Sequence, residues 1–360
     1  MSIKSTAASV EFRNVCKSYG QVKAIKDVSF TVEAGTLVTL LGPSGCGKTT
    51  TLRMIAGLEQ ASTGKIFIGD QDVTNASVMM RDVSMVFQSY ALFPHMSVLE
   101  NVAYGLREQG LKKDQAYSQA EEGMAMVGLT GFGNRMPNQL SGGQQQRVAV
   151  ARALVLKPKV LLFDEPLSNL DAKLRRKVRE EIRELQQSLG LTSVYVTHDQ
   201  EEAMAVSDKI IVMNESVISQ HGTPHQLYEQ PQNTFIADFI GDATLVKGTY
   251  ISHDDKQVKV QLDSIEIDLA HRNICDLQGS LDIAIRPNSI YVTTEPNTNS
   301  SGQTIKGTVT KSVYLGGHVE YELETALGSL FAVDHQAQQA IAIGSSVYVN
   351  IASQGIALVG

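Results

Sequence analysis

Gly42-Pro43-Ser44-Gly45-Cys46-Gly47-Lys48-Thr49 follows directly on the apolar run Leu37-Val38-Thr39-Leu40-Leu41 and leads through Thr50 into a stretch where Leu52 and Ile55 share a helical face. A strand, a loop of the pattern GxxxxGK[ST] and a helix, in that order, form the context in which such a loop cradles a phosphate chain. The glycines let the backbone wrap closely, so that its N–H groups and the helix N-terminus point at phosphate oxygens. Lys48 brings positive charge toward the β- and γ-phosphates, and the Thr49 hydroxyl is of the right kind to bind Mg²⁺. Residues 42–50 are therefore the candidate nucleotide loop. Cys46 is read as a tolerated small residue rather than a redox switch; as an exposed loop thiol it is expected to be open to alkylation and shielded by nucleotide.

Working outward, Val160-Leu161-Leu162-Phe163-Asp164-Glu165 is a second apolar run, ending in two carboxylates. Beside a phosphate loop, Asp164 is placed to hold Mg²⁺ and Glu165 to orient and polarise an attacking water. Tyr19, in Lys17-Ser18-Tyr19-Gly20 just ahead of the first paired strands, offers a ring to stack on adenine. From Val10 to about Gly241 strand-like runs alternate with amphipathic helical stretches, the pattern of an α/β domain with a largely parallel sheet. Leu174, Val178, Ile182, Leu185 and Leu189 line one face of a helix over 172–189. Between Gln88 and about residue 155 helical composition takes over, which predicts a helical insertion. After Gly241 short alternating strands such as Val258–Leu262, Ile265–Leu269 and His318–Leu323 predict an all-β domain over 242–360, with a turn-rich linker at Pro296–Gly302.

The composition narrows the function. Of 360 residues, 42% are hydrophobic and 19% charged, an ordinary balance for a chain with a core. The net charge of −7 is the wrong sign for a protein that grips nucleic acid, so none is expected as a partner. Residues 242–360 hold 7 Lys and Arg against 13 Asp and Glu, nearly all of that excess. Cys16, Cys46 and Cys275 form no CxxC pair, which suggests neither zinc nor a disulfide framework and fits a reducing cytoplasm. No apolar run is long enough to span a bilayer, so membrane work would require a partner.

The order of these motifs resembles the ATP-binding-cassette ATPases, and Leu140-Ser141-Gly142-Gly143-Gln144 matches that family's signature sequence, here opening a helical stretch over Gln145–Leu156. The resemblance implies that Ser141, Gly142, Gly143 and Gln144 of one subunit close on the ATP held by the other, so that a homodimer sandwiches two nucleotides. It also implies roles for Gln88, sensing Mg²⁺ and the transport partner, for Asp171, in the loop Ser168-Asn169-Leu170-Asp171 that crosses the dimer interface, and for His198, the switch histidine reaching the γ-phosphate. Asn169 departs from the more usual alanine and is expected to matter little.

Phe87–Ser97 and Val196–Ala203 are similar to importer ATPases for maltose, spermidine and ferric iron. Those carry a C-terminal oligonucleotide-fold-like β domain, and Ala284-Ile285-Arg286-Pro287-Asn288-Ser289-Ile290 resembles its Arg-Pro-Glu strand start, with Asn288 in place of Glu. Lys157–Asp171 and Ala205–Asp208 look most like ferric-iron importers. The expectation is an ATPase subunit using ATP and Mg²⁺, peripheral on the cytoplasmic face of the inner membrane. It would work with two transmembrane permease subunits, or a fused pair, and indirectly with an extracytoplasmic solute-binding protein. Tyr90, Leu92, Phe93, Pro94 and Met96 are expected either to receive a permease helix or to pack inside the insertion. A chromosome-type scaffold is disfavoured because only 93 positions separate Lys48 from Ser141, where a long coiled coil would intervene. Ribosome-type scaffolds carry two cassettes in one chain, and an exporter is disfavoured by the long β extension.

Overall fold

The computed structural model describes residues 7–255, 257–270, 279–295, 304–337, 339–352 and 355–359; the expected linker Pro296–Gly302 and Cys275 lie outside them. The chain forms two units, Met1–Pro224 and His225–Gly360.

In the first unit, β1 (Val10–Tyr19), β2 (Val22–Val32) and β3 (Leu37–Leu41) lead into α1 (Lys48–Ala56). Then come β4 (Thr63–Ile68), β5 (Gln71–Asp72), β6 (Val83–Val86), α2 (Val98–Glu108), α3 (Lys113–Met126) and α4 (Gly142–Leu154). After them follow β7 (Val160–Asp164), α5 (Ala172–Leu189), β8 (Thr192–Thr197), α6 (Gln200–Val206), β9 (Lys209–Asn214) and β10 (Val217–Gly222). One sheet has the order β10-β9-β3-β8-β7-β6, parallel except for the β9–β10 hairpin. Every residue of β3, β7 and β8 is buried. Strands covered on both faces read as continuous apolar runs, which is why the sequence showed them. In a parallel sheet the strand C-termini share one edge, so the loops after β3, β7 and β8 converge there.

A second sheet, β2-β1-β4-β5, is antiparallel and was not expected. Register shifts after Phe12, Val15 and Lys17 break the alternation that would have announced β1. Tyr19 is consequently not ahead of the first strand pair but inside it, as the last residue of β1, opposite Val22. The helical insertion consists of α2, α3 and α4 around Val98, Val102, Leu106, Met124 and Val148. Its α2 opens with a capping box, Ser97 with Glu100.

Among its described residues the second unit holds α7 (Pro224–Glu229, at the division), α8 (Thr234–Phe239) and ten strands. These are β11 (Thr244–His253), β12 (Gln257–Leu262), β13 (Ile265–Ala270), β14 (Ser280–Ile285), β15 (Ile290–Thr293), β16 (Ile305–Tyr314), β17 (Val319–Thr325), β18 (Gly328–Asp334), β19 (Ser346–Ile351) and β20 (Ile356–Leu358). They form two antiparallel five-stranded sheets, β13-β12-β11-β14-β20 and β15-β19-β16-β17-β18, whose apolar faces share one core. The unit begins at His225 rather than after Gly241. Arg286, buried at 1% exposure, donates to the carbonyls of Tyr228 and Ala237, both at 2.6 Å, and to that of Ile240. Those bonds tie the two short helices to the end of β14, a long-range dependence that composition does not reveal.

Candidate nucleotide site

The loop after β3 is held in a shape only glycine permits at two points. A Cβ on Gly42 (φ 153°) would lie 2.1 Å from the Met213 carbonyl oxygen, and one on Gly47 (φ 105°) 2.4 Å from Ile25 Cδ1. Lys48, the first residue of α1, is buried, and its Nζ donates to the carbonyls of Gly42 at 2.7 Å and Pro43 at 2.8 Å. The ammonium thus sits inside the ring formed by the loop, at the N-terminal end of α1, where amide groups favour an anion. Cys46 is buried rather than an exposed loop thiol, because its side chain turns inward, with Sγ 3.7 Å from Lys48 Nζ. Ready alkylation does not fit that position.

Asp164 ends β7, and Thr49 Oγ1 donates to its Oδ1 at 3.4 Å. Burial pushes the Asp164 carboxyl above the ordinary carboxylate range, and Glu165 adds to this against the opposing Arg53 and Thr49. A carboxylate whose charge is penalised by burial is one that a cation relieves. A hydroxyl and a single carboxylate are hard oxygen donors that suit Mg²⁺, which takes most of its other ligands from phosphate and water. Among the described residues no cluster of three or more His, Cys, Asp or Glu side chains could hold a metal by themselves.

Glu165 has φ 45°, a left-handed turn that swings it out of β7, while its N–H still donates to the Val196 carbonyl at 3.0 Å. Its Oε2 lies 3.3 Å from Nδ1 of His198, on the loop after β8. Sequence reading did not find what holds that histidine. Thr197 Oγ1 donates to Glu202 Oε2 at 2.6 Å and accepts from the Asp199 N–H at 3.0 Å. Asp199 caps α6 and pairs with Arg175, and Tyr195 donates to Glu202. Burial pushes the Glu202 carboxyl up. A small cavity of about 80 Å³ between Glu165, Ser168, Arg175 and His198 opens on this network.

Gln88, on the loop after β6, is not bonded to Thr49 or Asp164. Its Nε2 donates to Ser168 Oγ at 3.2 Å, Ser168 donates to the Glu165 carbonyl at 3.1 Å, and Asn169 Nδ2 donates to the Gln88 carbonyl at 3.0 Å. Asn169, expected to matter little, ties the two loops together. Asp171 caps α5, accepting from the Leu174 N–H at 3.0 Å. Ser141 caps α4 in a reciprocal box with Gln144. At Gly142 and Gly143 added Cβ atoms would meet Leu170 at 3.0 Å and Leu174 at 2.9 Å, so the signature turn packs on the start of α5. Tyr19 is half exposed, with Lys17 Nζ 4.7 Å above its ring.

Of the apolar stretch after Gln88, Tyr90 is buried, Leu92, Phe93 and Met96 are half buried and Pro94 is exposed. Arg152 donates to the Tyr90 and Ala91 carbonyls at 2.8 and 2.7 Å, fixing two consecutive left-handed residues. Phe93 packs in a tilted arrangement, ring centroids 4.7 Å apart, against Tyr104, which with Met96 lines a groove of about 370 Å³.

A phosphate loop on a parallel sheet, a strand-end carboxylate pair, a histidine facing it and a capped signature turn define an ATP-hydrolysing cassette. The chain belongs to the ABC transporter family, whose ATPases couple ATP hydrolysis to transport: the family's model matches residues 25–168, and that of the TOBE domain matches 283–359. It is similar to the Fe(3+) ions import ATP-binding protein FbpC 1 of Rhizobium meliloti, 56% identical over 351 residues, which cover 98% of each chain. It is equally similar to FbpC of Agrobacterium fabrum, at 56% identity over 351 residues and 98% of each chain. A dimeric, post-hydrolysis structure of the ATP-binding cassette MJ0796, bound to ADP and Pi, superposes with a TM-score of 0.54 at 33% identity, covering 60% of this chain and 98% of that one. Among the described residues no helix is long and apolar enough to cross a membrane.

Proposed function

We propose that this chain energises the import of ferric iron, as a homodimer bound to two permease subunits on the cytoplasmic face of the inner membrane. The observation that carries this reading is the 56% identity to ferric-iron import proteins along 98% of the chain. Two ATP molecules lie between the protomers, each held by residues 42–50 and Tyr19 of one and by Ser141–Gln144 and Asp171 of the other. Lys48 binds the β- and γ-phosphates. Thr49 and Asp164, with Gln88 in reach on closure, would hold Mg²⁺, which when bound would supply charge neutralisation on the phosphates. Glu165 accepts the proton of the attacking water, and His198, 3.3 Å away, orients that carboxylate and reaches the γ-phosphate. The loop carrying Gln88, bonded to the Glu165–Asn169 segment, relays closure to the groove beside Phe93 and Tyr104, where a permease helix docks. A solute-binding protein outside the membrane delivers the iron.

The test is uptake of radiolabelled ferric iron, maltose and spermidine in cells lacking this chain, complemented with wild type or Glu165→Gln. Iron uptake restored by wild type alone is the expected result. Restored maltose or spermidine uptake instead would replace the solute.

A further inference from the structure

Helices α4 and α5 touch at their N-terminal ends through Gly142 and Gly143, but a few residues on they part around a cavity of about 440 Å³, closed on a third side by the end of α3. That volume is within the range of small-molecule sites. Gln146 of α4 lines it and is fully buried, yet neither its Nε2 nor its Oε1 has a hydrogen-bond partner. Beside it Arg147 and Glu181 form an ion pair at 2.5 Å that leaves Arg147 Nε and Glu181 Oε2 unpartnered as well. The walls between these groups are apolar, formed by the buried Val150, Val178 and Ile182.

Four buried polar atoms without partners are costly, because each has lost its water and gained nothing in return. Two of them are donors and two acceptors, and the pair of charges cancels. The complement is a neutral group that both donates and accepts, set on an apolar body; an anion would find no net positive charge and too few donors. We propose that this cavity binds a small neutral molecule carrying a carboxamide or lactam on an apolar ring, and that its occupancy changes the rate of ATP hydrolysis. The link to rate is mechanical. α4 begins at the signature turn and α5 begins at Asp171, so a molecule wedged between the two helices sets the angle between the two segments that meet ATP across the dimer.

The experiment uses the full chain and benzamide as probe, with benzoate as the anionic control. Ligand-observed NMR is expected to show saturable benzamide binding, with benzoate at least tenfold weaker. Gln146→Leu, which removes the unpartnered amide at nearly constant volume, should lose benzamide binding while its thermal midpoint stays at or above that of wild type. Saturating benzamide should change the wild-type turnover at least twofold and leave that of Gln146→Leu unaffected. Absence of saturable binding up to about 10 mM, a range in which weak fragments bind, or equal binding by Gln146→Leu, would overturn the site. Binding without any change in turnover would overturn its regulatory role.

Discussion

Asn169 donates its side-chain amide to the backbone carbonyl of Gln88 at 3.0 Å, so the segment following the Glu165 carboxylate holds the segment that faces the insertion. An alanine at this position would have no donor to offer. The bond acts between loops rather than on nucleotide. Asn169→Ala is therefore expected to lower kcat about three- to tenfold, matching the loss of about 1 kcal/mol for one hydrogen bond, with KM for ATP close to wild type. Asn169→Asp, which also lacks the N–H, should behave alike. Steady-state ATPase kinetics separate the two constants, and an equal rise in KM would place Asn169 on the nucleotide instead.

Glu165→Gln keeps the shape of the strand end but cannot accept a proton. Turnover should fall by about 10²- to 10⁴-fold while ATP still binds, leaving a closed dimer visible by size-exclusion chromatography in ATP. His198→Ala should lose hydrolysis to a similar degree, since it faces Glu165 at 3.3 Å. Wild-type turnover in Glu165→Gln would remove that carboxylate from the chemistry.

Two glycines of one loop should respond unequally to the same methyl group. Gly42→Ala places a Cβ 2.1 Å from a backbone oxygen, a contact no rotamer relieves, and should cost about 2 kcal/mol or more. Gly45→Ala meets nothing within 4 Å and carries only the strain of its φ of 81°, about 1 kcal/mol. Thermal unfolding of both variants gives the ranking directly.

Asp208 accepts from the Arg183 guanidinium and from the Leu37 N–H at 2.8 Å. Burial raises its carboxyl, but those bonds together outweigh it and hold the group below its ordinary value of 3.8. A depressed folded-state value means that the stabilisation is complete above the unfolded value of about 3.9 and is lost as pH falls through the folded one. The gap in urea midpoint between wild type and Asp208→Asn should be constant from pH 7 to pH 5 and shrink below pH 4. A gap that widens in acid would reverse the assignment.

Arg286→Met fills the volume but leaves the carbonyls of Tyr228, Ala237 and Ile240 without their donor. A loss of about 3–5 kcal/mol is expected, read as lost hydrogen-exchange protection in α8 and β14. Protection unchanged in α8 would mean that other contacts hold the helix.

The candidate site could be read from the sequence because its proposed determinants are contiguous there. The glycines at 42, 45 and 47 and the carboxylates closing β7 are each fixed by the strand that precedes them, and such strands betray themselves by unbroken apolar runs. The helix over 172–189 was found for the same local reason. What escaped depends on groups far apart in the chain. The guanidinium of Arg81 satisfies carbonyls of Met54 and Ile55 at the end of α1, and nothing around Arg81 in sequence announces it. Glu202 reads as one more acidic residue at a helix start, yet it is the buried acceptor on which the His198 loop is built. Cys46 was misplaced because the inward turn of its side chain is set by Gly42 and Lys48 across the loop, not by its neighbours' polarity.

The strand that carries the phosphate loop is made early by the ribosome, yet its neighbours come late: Leu41 lies opposite Thr197 on one side and Val212 on the other. At about 5–20 residues per second, roughly 150 residues of further translation keep β3 without sheet partners for about eight to thirty seconds. During that interval five consecutive residues, four of them apolar, await pairing, and the opposing walls of the loop, Met213 among them, do not yet exist. The phosphate loop is thus a late-completed feature of the first unit: its strand enters the sheet only when β8 and β9 have been made, and the loop gains its wall only with Met213.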